Sequence, residues 1–155
     1  MNQHCKGDPM DFINRVIHAL TELHPLHPML VHFPIALTGA GALFILLAVW
    51  KNNTMLEQAA FANITLASVG TLAAGLAGIY DNNLNYDGNA RNATTKIILA
   101  TFLLLITAST AYLRWKNPRL FETPAVKSLY VAAYLISFAL ALVLAFLGGV
   151  ILYGF

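Results

Sequence analysis

Four long runs without a formal charge decide what this chain can become: Leu30–Trp50, Ala59–Tyr80, Ile97–Leu113 and Leu129–Phe155. About 20 apolar residues cross the roughly 30 Å hydrocarbon core of a bilayer as a helix. Each run qualifies, the third by borrowing a turn before Lys96. The 155 residues are 58% hydrophobic and 10% charged, against about a quarter charged in soluble domains. A soluble core of this length cannot hide so much apolar surface, so lipid must cover it. The predicted fold class is an all-α membrane protein: four transmembrane helices and a short N-terminal interfacial amphipathic helix. The predicted division is an N-terminal segment over residues 1–28 and a four-helix transmembrane domain over 29–155.

The interfacial helix is read from Asp8-Pro9, an acceptor at the N-cap with proline at the first helical position. After it, Phe12, Ile13, Val16, Ile17, Leu20 and Leu23 recur at helical spacing, with Asp11, Asn14, Arg15 and Glu22 opposite. At about 13 residues the segment is too short to span and fits a helix lying at the membrane surface; a small helix packed on a partner subunit fits it as well. Its acids and the lack of a long apolar run argue against a cleaved signal peptide.

Trp50, Tyr80, Tyr112, Trp115 and Tyr153 fall near the run ends, where amphipathic rings prefer the interface. Lys51, Arg114, Lys116, Arg119 and Lys127 lie on one side of the membrane, and Lys6, Arg15, Arg91 and Lys96 on the other. Five against four, by the positive-inside rule, puts both termini, the histidines and the Asp81–Lys96 loop outside. Small residues mark the packing faces. The fourth run carries Ala133, Ser137, Ala141, Ala145 and Gly149; the second carries Gly70, Ala74 and Gly78 beside Ala67, Thr71 and Gly75. Such stripes let backbones approach closely in lipid. They suit the chain's own bundle first and an oligomer face second.

Composition excludes several functions. A net charge of +2 with no basic patch gives no footprint for nucleic acid. Cys5 stands alone, so no internal disulfide or thiolate cluster can form, and no CxxCH is present for covalent haem. No Ser/His/Asp set, phosphate-cradling glycine loop or carboxylate pair offers hydrolytic or phosphoryl-transfer chemistry. Asn63 is the one strong amide in a span and is expected to bridge helices.

The chemistry-bearing stretch is His24-Pro25-Leu26-His27-Pro28-Met29-Leu30-Val31-His32-Phe33-Pro34, which holds three of the five histidines. His32 lies about one turn into the first run, and Ala36, Gly39 and Ala40 follow at i+4, i+7 and i+8. Helical geometry therefore predicts that His32 continues a small-residue stripe and points into the bundle. Pro34 has no N–H for the Leu30 carbonyl and crowds it, which predicts a kink there. A freed carbonyl beside an inward imidazole would build a polar pocket at membrane depth. An intramembrane ionisable group is a functional candidate by default; the plainer alternative is a hydrogen bond to a neighbouring helix.

His24 and His27 each precede proline, which biases them to extended backbone. They are candidates for a second ligand or for headgroup-level anchoring. A zinc or copper site from His32, His27 and His24 is awkwardly spaced, with only Glu22 near as a carboxylate. Haem b needs one or two axial side chains. His32 can supply one, but every histidine precedes residue 33. The second must be His18, His24 or His27 folding over, or a histidine of another chain; Lys96, Met29 or Tyr86 are less usual substitutes. Arg91 and Asp81 can pair, or hold a propionate of a cofactor beneath them. Residues 81–92 are rich in turn formers and read as a hydrogen-bonded loop over the bundle's mouth. Asn83-x-Asn85-x-Asp87-Gly88 copies the first half of a calcium loop, but its twelfth position is Thr94, not glutamate.

His27-Pro28-Met29-Leu30-Val31-His32-Phe33-Pro34-Ile35-Ala36-Leu37 resembles the opening of a bacterial four-helix membrane family, a domain of unknown function marked by HPxxVHFPIAL. The similarity extends through Gly75-x-x-Gly78-x-x-Asp81 and Ala90-Arg91, covering roughly residues 24–115. Relatives often accompany Rieske or c-type cytochrome domains. The resemblance thus implies the bacterial cytoplasmic membrane, an electron-transfer setting, cytochrome or iron–sulfur partners, and b-haem binding. His27, His32 and Asp81 carry over. Many relatives have a further histidine early in helix 3, where this chain has Thr94-Thr95-Lys96-Ile97.

Two functions compete. In the first, the chain is an integral-membrane subunit of a redox or energy-transducing complex, with His32 at a haem or quinone site near the outer face. In the second it is a non-catalytic structural accessory subunit. Neither makes it an enzyme on its own. A solute or proton channel is disfavoured because the four runs contain no acidic or basic residue besides His32.

Overall fold

A computed structural model describes residues 12–14, 26–89 and 92–153. Four long helices make up these residues: α1 (Leu26–Lys51), α2 (Thr54–Tyr86), α3 (Ala93–Lys116) and α4 (Pro124–Tyr153). A single 3-10 turn, Leu120–Glu122, joins the last two. All four helices are long and apolar enough to cross a membrane. Of the expected interfacial helix, only residues 12–14 are described, and they are helical and exposed; the rest lies outside the described residues.

The connections dictate the topology. Only Asn52 and Asn53 separate α1 from α2, so the two must run antiparallel side by side. Asn52 takes the left-handed conformation (φ 47°) that ends α1, one that asparagine tolerates better than most side chains. Asn53 then caps α2, its side-chain oxygen accepting from the Met55 and Leu56 amides at 2.8 and 3.4 Å. α2 packs on α1 and α3, and α4 packs on α3 and α1. The result is an up-down-up-down four-helix bundle. One end carries the Asn52–Asn53 and 117–123 connections, here the connection end; the other carries the start of α1 and the α2–α3 turn.

The bounds of α2 correct the sequence reading. α2 starts five residues before the uncharged run, at Thr54, and continues past Asp81 to Tyr86. Residues 81–86, expected to be loop, are thus its last turns. Asp81 Oδ1 accepts from Asn85 Nδ2 one turn on, at 2.5 Å, which holds a polar stretch helical. The turn itself is confined to Asp87-Gly88-Asn89. Asp87 is left-handed (φ 48°) and Gly88 follows at φ 78°, both amides bonding the Asn82 carbonyl. Asn83 and Asn85 are therefore helical residues, and the half calcium motif is not a loop. At 33 residues, α2 is about 50 Å long and overshoots the hydrocarbon.

Pro34 lies inside α1, which continues as helix to Lys51. Pro34 is buried and faces Gly70 of α2: a Cβ on Gly70 would stand in contact at 3.4 Å from Pro34 Cδ and 3.6 Å from Phe33 Cβ. The Pro34 carbonyl accepts the buried Thr38 hydroxyl at 2.6 Å. The proline is thus a packing surface, not the rim of a pocket.

Small residues do bring the helices together. Ser137 and Ala141 of the α4 stripe are buried, with Ala133 and Ala145 half-buried beside them. Ala60, Ile64, Ala67, Thr71 and Ala74 form the buried seam of α2. Burying apolar area has little net drive in lipid, so close contact and internal hydrogen bonds must hold such a bundle. Thr38, Thr71, Thr107, Thr110 and Ser137 are buried, and each hydroxyl donates to a carbonyl one turn back on its own helix. Asn63 behaves the same way, donating to Ala59 at 2.8 Å rather than bridging helices. Among the described residues no buried side-chain nitrogen or oxygen lacks a partner.

Candidate functional site

The chemistry inside the bundle lies at the connection end, not beside the histidines. Glu57 sits in the first turn of α2 and is 2% exposed. Arg114, near the end of α3, reaches it with two bonds: Nε to Oε1 at 2.6 Å and Nη2 to Oε2 at 2.8 Å. Tyr130 of α4 donates its hydroxyl to Oε1 at 2.8 Å. The Tyr134 hydroxyl lies 2.9 Å from that of Tyr130, and the rings meet edge to face at 5.2 Å. An ionised carboxylate only accepts, so the single Tyr130 proton is committed to Glu57. Tyr134 must then donate to Tyr130. The network is directional: Tyr134 to Tyr130 to Glu57, with Arg114 closing the carboxylate from the other side.

Each helix supplies its part for a local reason. The carboxylate stands near the N-terminus of α2 and the guanidinium near the C-terminus of α3, the favourable ends of the two helix dipoles. Phe61, one turn beyond Glu57, lies 5.5 Å under the Arg114 guanidinium and adds a cation–π contact. Gly41 of α1 faces Tyr134, and a Cβ there would stand in contact with its ring at 3.4 Å. Ile45, Ala48, Ala60, Ile64, Phe121, Tyr130 and Tyr134 form the apolar cluster around the network. A charge pair in so dry a setting is held by its hydrogen bonds as much as by its charges. Tyr130→Phe should therefore cost about 1.5–3 kcal/mol, the usual worth of a hydrogen bond to a charged group. Denaturant unfolding in detergent micelles checks it.

This overturns the expectation that His32 is the sole ionisable residue of the spans. α2 begins before Glu57 and α3 runs past Arg114, so both lie within membrane-length helices. A sequence signal was there to find. Glu57, Ala60, Ile64, Ala67, Thr71 and Ala74 alternate at intervals of three and four, and so do Leu103, Thr107, Thr110 and Arg114, and Tyr130, Tyr134, Ser137 and Ala141. Extending each apolar seam by one turn lands on the network.

His32 is corrected in turn. It lies on the exposed face of α1, as does Ala36, while Pro34, Thr38, Gly41, Ala42, Ile45 and Ala48 face inwards. The inward phase is set by the residues that meet α2 and α4, about half a turn away from the small-residue stripe. Met29 and Tyr86 are exposed too, and Lys96 is half-buried. Asp81 is half-buried and bonded to Asn85, and Gly78 is half-buried in α2. His27 belongs to the first turn of α1, with its side chain outside the described residues; His24 and Arg91 lie wholly outside them. Among the described residues no three His, Cys, Asp or Glu side chains gather as for a metal ion.

At the Gly70–Pro34 contact α1 and α2 lie too close to admit a porphyrin between them, and the one histidine whose side chain is described faces out. Any ligation through His32 must take place on the outer surface of the bundle.

The comparisons agree with this architecture at the level of family. Residues 23–155 match the model of a family described as predicted membrane protein (DUF2231). No curated protein and no solved structure matches the chain. The matched region takes in all four spans, the HPxxVHFPIAL-like opening and the Glu57 network, and the chain belongs to this DUF2231 family of membrane proteins.

Proposed function

We propose that this protein is a membrane-embedded subunit of a larger assembly and acts through its outer surface. One observation carries the reading: an imidazole stands on the exposed face of α1, within a membrane-length helix and between the exposed apolar side chains Met29 and Phe33. An ionisable side chain at that depth is a functional candidate by default, and one on the outer face is within reach of a neighbouring subunit or of a cofactor shared with it.

The family resemblance favours a redox assembly. A neutral imidazole can ligate haem b or hydrogen-bond a quinone. Here His32 would be offered to a site completed by another subunit, with His27 or His24 beside it and Arg91 as an anion partner. The rival reading, an accessory subunit with no cofactor, draws on the complete internal pairing of the described bundle, which leaves its interior a scaffold.

Gentle purification from native membranes separates the readings. The wild type should migrate as a complex larger than the monomer, and His32→Ala should release the partner while the helices stay folded. A Soret band lost in the same variant supports the redox form; the same partner without a chromophore supports the scaffold form. Identical hydrodynamic size for both proteins, each without a chromophore, refutes the role of His32.

A further inference from the structure

We propose that the α3–α4 connection is a binding site for the headgroup of an anionic phospholipid. Residues Asn117, Pro118, Arg119, Leu120, Thr123 and Val126 line a surface hollow of about 610 Å³. It lies where α3 ends at Lys116 and α4 begins at Pro124, so it sits at the level of the headgroups. Exposed Tyr112 and Trp115 on the last turns of α3 mark that same level. The lining has two halves of different chemistry. Asn117 and Arg119 can bond a phosphodiester, while Pro118, Leu120 and Val126 suit the upper part of an acyl chain.

Charge selects the ligand. Five cations lie at the connection end: Lys51, Arg114, Lys116, Arg119 and Lys127. Arg114 is neutralised by Glu57. Among the described residues none of the other four has a carboxylate within ion-pair distance. Three of these rest on aromatic rings, Lys51 on Trp50 at 6.0 Å, Lys116 on Tyr112 at 5.9 Å and Lys127 on Phe121 at 4.3 Å. Arg119 is left as the cation of the hollow, with Lys116 and Lys127 close in sequence on either side. Thr123 donates its hydroxyl to the Arg119 carbonyl at 3.1 Å, which ties down the turn that presents the guanidinium. A planar guanidinium matches phosphate oxygens in a two-bond geometry that lysine lacks.

The test uses the full chain with Trp50→Phe, which leaves Trp115 as the only tryptophan, reconstituted in phosphatidylcholine bilayers. Brominated phosphatidylglycerol and brominated phosphatidylcholine are compared as quenchers of Trp115 at equal mole fraction. Phosphatidylglycerol should associate preferentially. Arg119→Gln should reduce the preference about fivefold, the usual effect of one cation at a charged membrane surface. Arg119→Lys should keep the charge but lose the two-bond geometry and so fall between the wild type and Arg119→Gln, and Lys96→Gln at the other end of the bundle should change nothing. Equal quenching by the two lipids overturns the proposal, as does a preference that survives Arg119→Gln. Loss of the preference on adding millimolar inorganic phosphate also overturns it, because the hollow would then be a site for small anions.

Discussion

Arg114→Ala should be the most damaging single change in the described bundle, lowering stability by about 3–5 kcal/mol. It leaves Glu57, 2% exposed, with a charge and without its two guanidinium bonds. Tyr130 supplies one donor to a carboxylate that held three. The decisive comparison is the double variant Glu57→Leu/Arg114→Met, which removes both charges and keeps apolar volume. A buried ion pair replaced by well-packed apolar side chains is often neutral or stabilising. The double variant should therefore recover most of the loss, less the cost of leaving the Tyr130 hydroxyl without its acceptor. Denaturant titration in detergent micelles, followed by tryptophan fluorescence, measures both. If Arg114→Ala costs less than about 1 kcal/mol, the range of exposed ion pairs, the pair is solvated and the network is not the closed arrangement described here.

The second large effect is expected at Gly70. Gly70→Leu places a Cβ 3.4 Å from Pro34 Cδ and 3.6 Å from the Pro34 nitrogen and Phe33 Cβ, with the remaining side chain still to be housed. The proline ring cannot swing aside, since it is fixed in the backbone of α1. Overpacking of this kind costs about 1–3 kcal/mol. Here it should also force α1 and α2 apart along their interface. Gly75→Leu on the same helix is the control, because a Cβ there meets nothing within 4 Å. Cysteine pairs placed across the α1–α2 interface should cross-link less readily in Gly70→Leu and normally in Gly75→Leu. Equal cross-linking and stability in the two variants would show that Pro34 and Gly70 are not in packing contact.

These two sites differ in how far the sequence announces them. The Gly70 position was legible in part: small residues at helical spacing mark a face for close approach, and α2 uses that face. Its partner was not, because Pro34 reads locally as a helix disturbance and only the opposing glycine makes it a ridge. The Glu57–Arg114 pair was legible only in hindsight. A charge at the edge of an apolar run ordinarily marks the water boundary, and the three-and-four seam that turns Glu57 inwards stands out only once the buried face of α2 is known. His32 failed for a related reason. A stripe of small residues defines a face of α1 but not its rotation in the bundle, and the buried line through Thr38, Ile45 and Ala48 lies elsewhere on the cylinder.

The sequence by itself determined that four helices form and that lipid surrounds them, because both follow from run length and hydropathy without reference to any neighbour. Only the tertiary structure decided which residues face one another: that Glu57, Arg114, Tyr130 and Tyr134 meet across three helices, and that the imidazole faces outwards. The reason is physical. Helix formation in a membrane is satisfied within each segment by its own backbone hydrogen bonds. Helix rotation and pairing are settled by contacts between residues as far apart in the chain as Glu57 and Tyr130.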